Sequence, residues 1–75
     1  MNLFRSKAEK ELDSILSELR AYLENNYKDA AHDQRKKLGE RCEALYAEGK
    51  LKEKTYLGYK KLYEEYTEKM KDCHH

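Results

Sequence analysis

The sequence predicts an all-α protein, an antiparallel up-down-up three-helix bundle. Three observations carry this. Apolar residues recur at three- and four-residue steps in three segments of similar length. The segments are separated by short breaks at Asn25-Asn26 and at Gly49. The 75 residues contain no Pro and only three Gly, so little interrupts the helical pattern. Short breaks favour antiparallel neighbours. The runner-up architecture is a long helical hairpin that completes its core by dimerising.

The first helix is expected over about residues 4–24. Ala8, Leu12, Ile15, Leu16, Leu19, Tyr22 and Leu23 form one stripe, with Lys10, Asp13, Ser17, Ala21 and Glu24 opposite. Ser6 followed by Glu9 has the spacing of a capping box. Leu3 and Phe4 extend the helix backwards or fold over its end.

The second helix is expected over 27–48. Asn25-Asn26 supplies the break, because Asn tolerates the left-handed conformation that ends a helix and its side chain also caps a following one. Tyr27, Ala31, Gln34, Leu38, Cys42 and Leu45 form a thin stripe with Tyr46 at its edge. Gly39 beside this stripe lets a neighbouring helix approach closely.

The third helix is expected over 52–72. Gly49 reads as the C-cap of the helix before it. Leu51 and Tyr56 have the spacing of a hydrophobic staple around a start near Lys52. Thr55, Tyr59, Leu62, Tyr66, Met70 and Cys73 form the stripe, flanked by Tyr56 and Tyr63. Counting from each turn places Leu45 near Phe4 and Thr55, Cys42 near Ala8 and Tyr59, and Leu38 near Leu12, Ile15 and Leu62. Ala31 and Gln34 then meet Leu16, Leu19 and Tyr66, and Tyr27 closes the far end with Leu23, Met70 and Cys73.

Composition bounds the function. The length allows a single domain over 1–75. Ten Leu, Ile15 and Phe4 are the large aliphatic and Phe residues, and Val is absent, so the seven Tyr must carry much of the core. Charged residues are 41% of the chain, but 16 basic against 15 acidic leave a net charge of +1, unlike a disordered chain. Charges interrupt every stretch long enough to cross a membrane, and Met1 to Lys7 lacks a signal-peptide apolar run. Two cysteines make no disulfide framework, so the expected location is the cytoplasm.

Candidate chemistry is sparse. Cys73, His74 and His75 are consecutive, with His32 and Cys42 upstream. Metal ligands must converge. Cys42 lies about 16 residues up the second helix from the end that holds Cys73, roughly 24 Å away. No metal, cofactor or catalytic residue is therefore expected, and Cys42 reads as a small buried hydrophobe. Glu64, Glu65 and Glu68 alternate with Lys60, Lys61, Lys69 and Lys71 as solvated pairs, without the cleft that catalytic carboxylates need. The chain reads as no enzyme.

Two surfaces remain. Arg35, Lys36, Lys37, Arg41, Lys50 and Lys52 are the basic residues a nucleic acid would use, with Lys54, Lys60 and Lys61 continuing the series. Interspersed Glu40, Glu43 and Glu48 weaken that reading. The helices are also too long and too nearly antiparallel for a helix-turn-helix. The favoured reading is a protein-partner face on the third helix, made by Lys54, Tyr56, Leu57, Lys60, Lys61 and Tyr63. Tyr is enriched at binding surfaces because it offers large area at low entropic cost. Leu57 points away from the core between Lys54 and Lys61. The expected function is a small accessory, adaptor or inhibitor module, with a homodimer as one form of partner.

Overall fold

The capping box at Ser6 starts the fold. The computed structural model describes residues 6–72. Ser6 is extended, and its hydroxyl accepts from the Glu9 amide at 3.1 Å while the Glu9 carboxylate accepts from the Ser6 amide at 3.0 Å. Two otherwise unpaired amides are thereby satisfied. Helix α1 runs Lys7–Glu24, starting where the capping-box spacing places it and three residues after the expected boundary at residue 4. Leu3 and Phe4 lie outside the described residues, as does the expected contact of Phe4 with Leu45.

Helix α1 ends at Asn25. Asn26 takes the left-handed conformation at φ 61°. The Asn26 amide donates to the Leu23 carbonyl at 3.2 Å, and the Tyr27 amide to the Tyr22 carbonyl at 2.8 Å. This is a Schellman ending with Asn in the place that Gly usually takes. It corrects two expectations. Asn26 is spent on ending α1, so Tyr27, without a side-chain bond, is the N-cap of the next helix. Tyr27 does not close the core either: it is 59% exposed, with its ring 6.3 Å from that of Tyr22. That contact is the apolar one that accompanies a Schellman ending.

Helix α2 runs Lys28–Ala47 and buries Ala31, Gln34, Leu38, Cys42 and Leu45. Gln34 is the buried polar residue of this stripe. Its amide nitrogen donates to the Glu18 carboxylate at 2.8 Å, which offsets the cost of leaving water. A second Schellman ending closes α2. Gly49, at φ 77°, donates to the Tyr46 carbonyl, and Lys50 to the Leu45 carbonyl.

Helix α3 runs Glu53–Lys69 and tightens into a 3₁₀ turn over Met70–Asp72. Lys52 is its N-cap, and the preceding Leu51 is buried in the cluster against which Tyr56 packs. This matches the staple spacing. The expected third stripe is shallower than the other two. Tyr59 and Met70 are buried, while Thr55, Leu62 and Tyr66 are half-buried. Cys73 lies outside the described residues.

The three helices form an all-α antiparallel bundle with α2 in contact with both neighbours. The cross-section is flattened, 38 × 23 × 16 Å overall. One core cluster joins Ala8, Leu12, Ile15, Leu38, Cys42 and Tyr59, as counting from the turns predicts. A smaller one joins Leu19, Ala31 and Met70 at the far end. Leu12, Leu19 and Leu38 are fully buried, each contributing about 1.5–3 kcal/mol. The backbones of α1 and α3 barely approach, and long side chains bridge them. The Tyr59 hydroxyl donates to Asp13 at 2.6 Å, and Arg20 donates to the Tyr66 hydroxyl at 2.9 Å. No helix of the described residues is long and apolar enough to cross a membrane.

Candidate interaction face of the third helix

The six residues expected to face a partner divide between two sides of α3. Tyr56, Lys60 and Tyr63 turn toward α2 and build a ladder of polar and aromatic contacts along the α2/α3 seam. At its top the Tyr56 ring stacks on Tyr46, with centroids 4.0 Å apart and planes 10° from parallel. One rung down, Glu43 accepts from both the Tyr56 hydroxyl and the Lys60 ammonium, each at 2.7 Å. Next, the Tyr63 ring fills the space that a side chain at Gly39 would occupy. At the bottom, Arg35 donates to the Tyr63 hydroxyl at 3.3 Å and to Thr67 at 3.0 Å. The Arg35 guanidinium carbon and the Lys60 ammonium lie 5.6 and 5.8 Å from the Tyr63 ring centre, within cation–π range.

The seam sets the local proton affinities. Lys60, and after it the Tyr56 hydroxyl, hold the Glu43 carboxyl below its ordinary value. In return Glu43 raises Lys60 and, through the same hydrogen bond, raises Tyr56. All three groups are partly solvated, so this triad fixes geometry more than it adds stability.

The other three residues point away from α2. Leu57 is 53% exposed, and Lys54 and Lys61 are exposed on its flanks, three residues before it and four after. Among the described residues neither lysine forms an ion pair or hydrogen bond. Gly58 is next to Leu57, and a Cβ added there would meet nothing within 4 Å. From Gly58 an open groove runs between α3 and α1, lined by Glu9, Asp13, Thr55, Tyr59 and Leu62. The outward side of α3 thus carries an apolar anchor, a gap and two uncommitted cations.

Half of the six basic residues considered for nucleic acid are engaged within the chain. Arg41 forms a two-pronged ion pair with Glu11 on α1, and Lys50 pairs with Glu48 at 3.4 Å. Arg35 is held on Tyr63 and Thr67. Lys36, Lys37 and Lys52 remain exposed.

Cys42 is buried, with its sulfur 3.9 Å from the Tyr56 carbonyl oxygen. Burial, and next the nearby Glu43, push its thiol up, away from the reactive thiolate. Glu68 pairs with Lys71 at 3.1 Å on the surface. Among the described residues no three His, Cys, Asp or Glu side chains converge as a metal site requires. His74 and His75 lie outside the described residues.

Tyr46 and Glu43 belong to the seam; the sequence reading sets Tyr46 at the edge of the second stripe and Glu43 among the interspersed acids, without joining either to the third helix. A usable signal was present. The count from the turn that sets Cys42 beside Tyr59 also brings Gly39 and Tyr46 to within one residue of the levels of Tyr63 and Tyr56. No protein-family model, curated protein or solved structure matches the chain.

Proposed function

We propose that this protein is a non-enzymatic interaction module, of the adaptor or inhibitor type, that docks a protein partner through the outward side of α3. The supporting observation is Leu57, half exposed between two lysines that have no carboxylate of their own. Interface centres pair a desolvated apolar anchor with a polar rim, and Leu57 with Lys54 and Lys61 has that composition. Tyr56, Lys60 and Tyr63 serve this face from behind. Their contacts with α2 fix the rotation of α3 and hence the direction in which Leu57 points. A buried Cys42 suits the reducing cytoplasm, where this reading places the chain.

Affinity capture tests it. N-terminally tagged protein, wild type and Leu57→Glu, is exposed to native lysate with and without nuclease. The reading predicts a protein retained through nuclease and lost with L57E, while the helical signal and thermal midpoint of the variant stay unchanged. Retention that disappears with nuclease would transfer the function to the basic residues. Retention indifferent to L57E would remove α3 as the docking face.

A further inference from the structure

The outward side of α3 is self-complementary, and from this we infer that one occupant of the face is a second copy of the chain, docked antiparallel through α3. This inference rests on the reading of α3 as a docking face and names the partner.

Six residues share the face: Lys54, Leu57, Gly58, Lys61, Leu62 and Glu65. At 100° per residue they span about 140° of the helix. The seam with α2 lies on the other side. Leu57 is 53% exposed and Leu62 half-buried, so both have apolar area left to cover. Lys54, Lys61 and Glu65 are exposed and, among the described residues, form no ion pair or hydrogen bond.

Consider two copies of α3 running antiparallel, with the two-fold axis between residues 59 and 60. Lys54 then lies level with Glu65 of the second copy, and Glu65 with the second copy's Lys54. Symmetry makes two ion pairs, and no like charges of the six are set level. Gly58 lies level with Lys61 of the second copy, so the long lysine stem crosses where α3 has no side chain. Leu57 lies level with Leu62 of the second copy, and the two copies of each leucine line the same edge of the seam, offset by about 7.5 Å along the axis. Sliding the register by one turn breaks these pairs.

Gly58 supports the same arrangement. A glycine within an exposed helix lowers helix stability relative to Ala. Gly39 has a use within the chain, because Tyr63 occupies its side-chain position. Gly58 has none, since nothing lies within 4 Å of its Cβ position. Close approach of another helix supplies that use. The face is short, about 17 Å from Lys54 to Glu65. An interface this small belongs to the weak class, so association is expected at high protein concentration.

Sedimentation equilibrium of the full chain, from micromolar to millimolar at low salt, tests the inference on four proteins. These are wild type, Lys54→Glu, Glu65→Lys and the double swap K54E/E65K. Wild type should show a monomer–dimer equilibrium. Each single variant sets like charges level at both symmetric pairs and should raise the dimer dissociation constant about tenfold. The double swap should restore it to within about threefold of wild type. A wild type that stays monomeric throughout would overturn the inference, as would a dimer indifferent to the single variants or unrescued by the swap. A monomeric chain that still loses a captured protein through L57E would leave the docking face standing and remove only the second copy as its occupant.

Discussion

The ring of Tyr63 occupies the side-chain space of Gly39: a Cβ on Gly39 would stand 2.6 Å from Tyr63 Cε1. Both elements of the seam depend on this contact. It brings the Tyr63 hydroxyl within reach of Arg35 and holds the ring between two cations. It also fixes which face of α3 remains for a partner.

The two mid-helix glycines should therefore respond in opposite directions. Gly58→Ala gains helix propensity and meets nothing, so it should stabilise the fold by about 0.5–1 kcal/mol. Gly39→Ala gains the same propensity but displaces the Tyr63 ring, for a net loss of about 1 kcal/mol. Thermal midpoints should differ by roughly 4–8 °C per kcal/mol in a chain of this size. Equal midpoints for the two variants would mean that Tyr63 does not sit on Gly39.

The bridge between α1 and α3 rests on tyrosine hydroxyls. Tyr59 is 7% exposed and donates to Asp13. Tyr59→Phe keeps the ring and removes the donor, which should cost about 1–2 kcal/mol in urea unfolding. A neutral result would place Asp13 in water without need of Tyr59.

Acid should weaken the bundle through Glu11 and Glu43. The Arg41 hydrogen bond holds Glu11 below its ordinary 4.5, and Lys60 does the same to Glu43. Both carboxyls bind protons less readily folded than unfolded. Their contribution is therefore complete above 4.5 and declines as pH falls through the lowered folded values. Glu11 and Arg41 are both more than a third exposed, so solvent screens the pair and its contribution is small. Thermal midpoints measured from pH 7 to pH 3 should fall more steeply for wild type than for Arg41→Gln. Parallel curves would show that Arg41 does not act on Glu11.

Cys42 should resist modification. It is fully buried and its thiol is pushed up by burial. In a Cys73→Ser background, a disulfide reagent at mildly alkaline pH should label Cys42 only as fast as the bundle opens, and at once in denaturant. Rapid labelling of folded protein would contradict the packing of α2 against α3.

Much of the fold was legible because it depends on periodicity. Leu12, Leu38, Cys42 and Tyr59 meet where counting from the turns places them. Ser6, Gly49 and Leu51 act at the ends as their spacing implies. Tyr27 was misread because an aromatic residue in phase with a stripe looks like core. It belongs to the ending of α1, where the chain geometry brings it onto Tyr22. The face of α3 was half legible. A helical wheel shows that Tyr56 and Tyr63 flank the core, but not which neighbour lies beside them. That required α2, whose Glu43, Tyr46 and Gly39 take up those tyrosines.

The most direct measurement is photo-crosslinking from position 57 in living cells, with a benzophenone amino acid replacing Leu57 and, as control, the exposed Ser14 of α1. The account predicts discrete protein adducts from position 57 and none from position 14, with a band at twice the chain mass marking the second copy. Adducts that are equal from both positions, or absent from position 57 in folded protein, would contradict it.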